Sequence, residues 1–433
     1  MVANMEMNNI ENTDETAANT SAARVSKDKM YMKWFRRGIF IGILATIMGI
    51  LIGLVIGTAG NYIVSCIRGT NHASDTVVND EGVKKLKTLE QVIDERFYFD
   101  DVTDDELRTG MYKGLLEALG DPYSEYYTVE EMESLMEQSQ GIYYGIGAYV
   151  GLDEDTKLPV INSVIENSPA QDVDLHPNDL IYEISGTSAY GMTLTEAVSL
   201  IKGPEGTDVV LKIIREGEKD YLTITLTRRK VETPTVKCSV EEDIAYIQVA
   251  EFDDVTVGQF SDALETAKEA KAKGILLDLR GNPGGNLSAV VDMCRMILPE
   301  GMIVYTEEKD GKRSEYTCDG TNQLTLPLVV LVDGNSASAA EIMAGAIKDY
   351  KLGTLVGTNT FCKGIVQQII PFKDGTAVKV TISAYFTPNG NNIHGIGIEP
   401  DIVCEFDGEA YYGSEEHPDN QLEKGKEVLR NLF

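Results

Sequence analysis

Five consecutive apolar residues, Leu328-Val-Val-Leu-Val332, stop at Asp333-Gly-Asn335. They give way to a helical run from about Ala337 to Asp349, with Ile342, Met343, Ala346 and Ile347 on one face. A strand that is apolar at every residue leaves no face for water, so it belongs in a sheet covered by helices on both sides. Gly274-Ile-Leu-Leu-Asp-Leu-Arg280 reads the same way and runs into the loop Gly281-Asn-Pro-Gly-Gly285. Together they predict an α/β body over about residues 229–405.

That body carries a pairing of side chains that can do chemistry without histidine. Ser338 opens the predicted helix, and Lys363 follows 25 residues later in Thr360-Phe-Cys-Lys-Gly364. A serine hydroxyl becomes a good nucleophile when a base takes its proton, and a lysine serves as that base if burial keeps it neutral. The helix start supplies free backbone N–H groups for an oxyanion, and the glycine loop at 281–285 supplies a second donor. Gln367, four residues past the lysine, is placed to hold the amine by a hydrogen bond. The plainer alternatives stand beside these readings: Ser336 or Ser338 as a helix cap, the glycine loop as an ordinary turn, Gln367 as a surface amide.

The segments Leu277-Asp-Leu-Arg-Gly-Asn-Pro-Gly-Gly285, Ser336-Ala-Ser-Ala-Ala-Glu-Ile342, Ala344-Gly-Ala-Ile-Lys-Asp349, Lys363-Gly-Ile-Val-Gln-Gln368, Thr387-Pro-Asn-Gly390 and Gly397-Ile-Glu-Pro-Asp401 resemble, in order and spacing, the carboxyl-terminal processing peptidases, or tail-specific proteases. Leu119-Gly-Asp-Pro-Tyr-Ser-Glu-Tyr126 is similar to that family's N-terminal region, so the resemblance covers roughly residues 82–405. It implies a crotonase/ClpP-like α/β fold and a Ser/Lys dyad: Ser338 as nucleophile, Lys363 as general base and Gln367 orienting the lysine. Backbone amides of Ala339 and of Gly284 or Gly285 would form the oxyanion hole. Asp349 matches an acidic position found near the site in some members and is read as structural. Two positions depart from the family pattern, Cys362 where glycine usually precedes the lysine and Ala340 where a third serine is usual. Neither removes a reacting group, although a cysteine there restricts a backbone angle that glycine leaves free and adds an oxidisable thiol.

From Gly141 to about residue 228 the chain alternates short strands with one helix, Thr193 to Ile201, and resembles a PDZ domain. In such a module an extended peptide adds a strand to a sheet edge and its terminal carboxylate meets the amides of a glycine-rich loop. The loop here is Gly145-Ile146-Gly147-Ala148.

Residues 38–60 are 23 in number and uncharged, about the length of a bilayer-spanning helix, and Lys27, Lys29, Lys33, Arg36 and Arg37 precede them. The positive-inside rule puts the N-terminus in the cytoplasm and everything after Gly60 outside, in the cell envelope. The length of the stretch and the poor cleavage site at Thr58-Ala-Gly60 argue against a removed signal peptide. Gly49, Gly53 and Gly57 form Gly-x-x-x-Gly steps that allow a homodimer. Of the 69 acidic and 38 basic residues, 5 and 6 lie in the first 60 positions, so the remainder carries 64 against 32. A body with that acidity does not bind nucleic acid through bulk charge. Six scattered cysteines without Cys-x-x-Cys, and four histidines without His-Glu-x-x-His, give no metal or cofactor site.

The expected organisation is therefore a disordered tail (1–34), a transmembrane helix (35–60), a linker (61–81), a helical region (82–140), a PDZ domain (141–228), the catalytic α/β domain (229–405) and an acidic tail with a short helical end (406–433). The reading that follows is a membrane-anchored serine endopeptidase that takes protein C-terminal tails. Its rivals are a catalytically silent PDZ scaffold and a crotonase-like acyl-group enzyme. Within the site, His394 in the loop Asn391-Asn-Ile-His-Gly395 is the rival base.

Overall fold

The computed structural model describes residue 76, residues 78–99 and residues 102–433. The expected membrane helix with its glycine steps, the cytoplasmic tail and most of the linker lie outside the described residues. Among those residues no helix is long and apolar enough to cross a membrane.

The chain divides into one unit ending at Thr103 and a second, Asp104–Phe433. In the first, the helix Asp80–Arg96 is capped by Asn79, whose side chain accepts the Gly82 N–H at 2.9 Å. Asp80 and Glu81 in its first turn and Arg96 in its last complement the helix dipole.

In the second unit the PDZ-like module is an antiparallel sheet in the order Ala148–Leu152, Pro159–Val164, Leu180–Ile184, Asp208–Ile214, Leu222–Thr227. Strict alternation builds its core: Val209, Leu211 and Ile213 are fully buried while Asp208, Val210 and Ile214 face out. The helix Leu194–Ile201 closes the module and buries Ala197 and Ile201.

The catalytic body rests on a six-stranded sheet ordered Val236–Glu241, Ile244–Val249, Gly274–Asp278, Leu328–Val332, Thr354–Gly357, Ile402–Val403, parallel after the first antiparallel pair. Both expected central strands are buried at every residue. Helices Asp254–Glu269, Leu287–Arg295 and Ala339–Asp349 bury their apolar faces with one side of this sheet. The other side, Ile244, Leu276, Val329, Leu331 and Val356, is covered by Leu429 with Leu422 and Val428.

Those last three residues belong to the helix Asn420–Arg430, in the segment expected to be an acidic tail. Its acids face solvent while Leu422, Gly425 and Leu429 face inward, so the tail is an integral layer of the fold. A second sheet also holds a surprise in the supposedly helical region 82–140. The three-residue strand Glu125–Tyr127 pairs with Ala377–Phe386, which in turn pairs with Ile365–Pro371 and Gly301–Glu308. Three residues are too few for an alternating pattern to show.

Candidate active site

Ser338 sits between the buried strand Leu328–Val332 and the helix Ala339–Asp349 with φ +53° and ψ −110°. L-residues rarely occupy that region, and holding one there costs about 1–3 kcal/mol. Glu341, fully buried one turn into the helix, holds it there. Its Oε2 accepts the backbone N–H of Ser338 and that of Lys363, each at 2.9 Å. Its Oε1 accepts the Thr360 hydroxyl at 2.6 Å and the Cys362 N–H at 2.8 Å. One carboxylate therefore ties the serine's backbone to the lysine's. On the other side, the buried Tyr385 hydroxyl lies against the carbonyls of Ser338, at 2.9 Å, and of Lys363. With a single proton it donates to one of the two at a time.

The glycine loop closes on the same serine. A Cβ on Gly284 would come within 2.8 Å of Ser338 Cβ and of the Ala337 carbonyl, and φ there is +103°. Buried Asn282 fixes the loop by donating to the Val249 carbonyl and accepting the Gly284 N–H, both at 2.8 Å. That bond commits the Gly284 donor, so of the two expected alternatives Gly285 is the one whose amide can serve an oxyanion. Ala339, the first residue of its helix, has an N–H with no intrahelical acceptor.

Ser338, Ala339, Gly285, Lys363 and Gln367 line one cleft of about 730 Å³, with Leu135 and Gln138 as part of its wall. The Lys363 ammonium lies 4.3 Å from the centroid of the Tyr123 ring. Burial, and after it the charge of Lys379, holds the Lys363 amine below the ordinary lysine range, with Asp121 and Glu341 opposing. Gln367 anchors its NH2 end by donating to Thr381 Oγ1 at 3.1 Å. Its Oε1 is left to accept a hydrogen bond. His394 is exposed, with its backbone N–H held by Asn392. Asp349 is spent on a structural bond, accepting the Asn389 N–H at 2.8 Å.

Glu341, Tyr123, Tyr385 and Lys379 escaped the sequence reading as site residues. For Glu341 a signal existed, since Ser-x-x-Glu at a helix start is a capping-box pattern. For the others the relation exists only between segments far apart in the chain.

In the PDZ-like module, Ile146 is buried in the core and Gly147 has φ +76°, where a Cβ would meet Ser168 Cβ at 2.1 Å. The Gly147 carbonyl accepts the Ile165 N–H at 2.9 Å and the Ser168 hydroxyl at 3.1 Å, and Ile146 O accepts the Ala170 N–H at 2.8 Å. The loop from Gly145 to Ala148 is thus held by its carbonyls, beside the strand and near the helix that border a PDZ groove.

Comparison with known proteins agrees with this architecture. Residues 243–404 match peptidase family S41, residues 160–215 match the PDZ domain, and residues 54–131 match the activating protease CtpB N-terminal domain. The chain is 34% identical over 371 residues to the carboxy-terminal processing protease CtpA of Bacillus subtilis, covering 85% of this chain and 77% of that one. It is 35% identical over 331 residues to CtpB of the same organism, covering 75% and 68%. A carboxyl-terminal-processing protease of Synechocystis is 35% identical over 296 residues, covering 67% and 69%. The chain belongs to peptidase family S41 and is a serine-type endopeptidase of the carboxy-terminal processing kind with a PDZ domain.

Proposed function

We propose that peptide bonds are cut by a Ser338/Lys363 dyad through an acyl-enzyme. The Glu341 carboxylate, shared by the backbone of nucleophile and base, carries the reading. The neutral Lys363 amine accepts the Ser338 proton as Oγ attacks the scissile carbonyl, and the resulting oxyanion is received by the N–H groups of Ala339 and Gly285. Lys363 then gives its proton to the leaving amine, and water releases the acyl group from Ser338. Gln367 Oε1 orients the lysine between these steps.

The substrate enters as a protein C-terminal tail whose carboxylate binds the amides of Gly145 to Ala148. Residues 38–60 anchor the enzyme as a single-pass membrane protein, N-terminus in the cytoplasm and catalytic body in the cell envelope. Their glycine steps give such anchors a way to pair as a homodimer.

Fluorophosphonate labelling tests the dyad. Wild type should label at Ser338, and both Ser338→Ala and Lys363→Ala should lose labelling while keeping their melting curves. Labelling of Lys363→Ala at the wild-type rate would refute the lysine base, and a parallel test of His394→Ala would then find the alternative.

A further inference from the structure

Lys379, Thr381 and Tyr385 follow one another in a row along the strand Ala377–Phe386, whose register shifts by one residue between the pairs Gln367–Thr381 and Val366–Ser383. Tyr385 touches the Ser338 and Lys363 carbonyls, Thr381 holds Gln367, and Lys379 ends the row in the wall of the cleft that Lys363 also lines. The Lys379 ammonium is held from the other side. It donates to Glu125 Oε2 at 2.8 Å and meets the Tyr127 hydroxyl at 2.5 Å, because Glu125 is its partner across the strand pairing. Nothing in peptide-bond cleavage by Ser338 and Lys363 uses this second lysine.

We propose that Lys379 is a positioning residue of charge: its fixed ammonium in the wall of the shared cleft adds to burial in keeping Lys363 neutral and so able to act as base. The inference rests on the Ser338/Lys363 reading above. Two ammonium groups in a partly desolvated cleft disfavour each other's charged form, and the one with the better anions keeps its proton. Lys379 is that one. Burial works against its charge, but the Glu125 and Tyr127 bonds outweigh burial and lift it above the ordinary lysine range, while Lys363 is moved the opposite way, by burial first and by Lys379 second. The other groups that face Lys363 are the Tyr123 ring, which favours the ammonium, and the carboxylates of Asp121 and Glu341, which favour it too. Among the charged groups of the described residues that act on Lys363, Lys379 is the one that opposes protonation.

The test is the pH dependence of fluorophosphonate labelling of Ser338, which reads the neutral fraction of the base and needs no peptide in the PDZ groove. Lys379→Met should move the acidic limb of the profile to higher pH, and labelling below the limb should slow about tenfold for every pH unit the limb moves. Lys379→Arg should keep the limb near its wild-type position. Glu125→Gln, which leaves the Lys379 charge less compensated, should move the limb to lower pH, and it decides the matter alone if Lys379→Met fails to fold. A purely structural role would lower labelling at all pH values without moving the limb in opposite directions. An unmoved limb in Lys379→Met and Glu125→Gln, with Lys363→Ala silent, overturns this inference and leaves the dyad standing. Wild-type labelling in Lys363→Ala overturns both.

Discussion

Glu341 makes its four hydrogen bonds from a position without solvent exposure, so its replacement leaves buried donors facing one another. In Glu341→Gln the amide NH2 must oppose N–H groups that now point at oxygen, at a cost of about 3 kcal/mol. Peptidase kcat is expected to fall by about 100-fold as serine and lysine drift apart, with KM little changed, and steady-state kinetics beside a melting curve check it. Cys362 is a different case. Its φ of +77° suits glycine, so Cys362→Gly relieves left-handed strain while loosening the unfolded chain. The balance is a gain of about 0.5–1 kcal/mol, read as a small rise in Tm with the lysine still functional. The oddity of Cys362 was visible in the chain itself because it breaks a local motif. The importance of Tyr123 was not, since 240 positions separate it from the Lys363 it covers.

The elements around the cleft are stiffened at their ends. Gly284 is packed so closely against Ser338 that Gly284→Ala should displace the Ser338 side chain, abolishing labelling there while leaving peptide binding to the PDZ domain intact by titration calorimetry. At the start of the helix Asp254–Glu269, Asp253 is buried with the Glu251 carboxyl beside it. Burial first, and Glu251 second, push the Asp253 carboxyl up to about 7. The folded state therefore keeps a proton that the unfolded state releases between roughly pH 4 and this value, so stability falls as pH rises across that window. Asp253→Asn removes the penalty and should raise Tm at pH 8 but scarcely below about pH 4, by thermal denaturation at both. Strand and helix types here follow from apolar periodicity, which is why both central strands and the helix that follows Ser338 were legible. The strand Glu125–Tyr127 was not, because its conformation comes from its partner Ala377–Phe386 and no local pattern announces it.

Across the whole catalytic body, the C-terminal helix Asn420–Arg430 is joined to the sheet by Arg280, which binds Asp278 through both carboxylate oxygens and reaches Asp419 at 2.9 Å and Gln421 at 3.1 Å. With Leu429 fully buried in one cluster with Leu276 and Leu331 and packed against Gly274, Leu429→Ala should cost about 2–5 kcal/mol. A chain ending at residue 405 should expose that face of the sheet and lose both cooperative unfolding and Ser338 labelling, although every cleft residue remains. The division of labour between chain and fold follows from distance along the sequence. Helix and strand patterns, the uncharged stretch at 38–60, the glycine loop and the Ser338, Lys363 and Gln367 motifs are carried by contiguous residues, so they could be read directly. The Glu341 tether, the Tyr385 hydroxyl, the cleft shared by Lys363 and Lys379 and the docked C-terminal helix depend on which distant segments share a sheet edge or a buried face. Those pairings are selected by the burial and register of the whole body, and no stretch of residues encodes them locally.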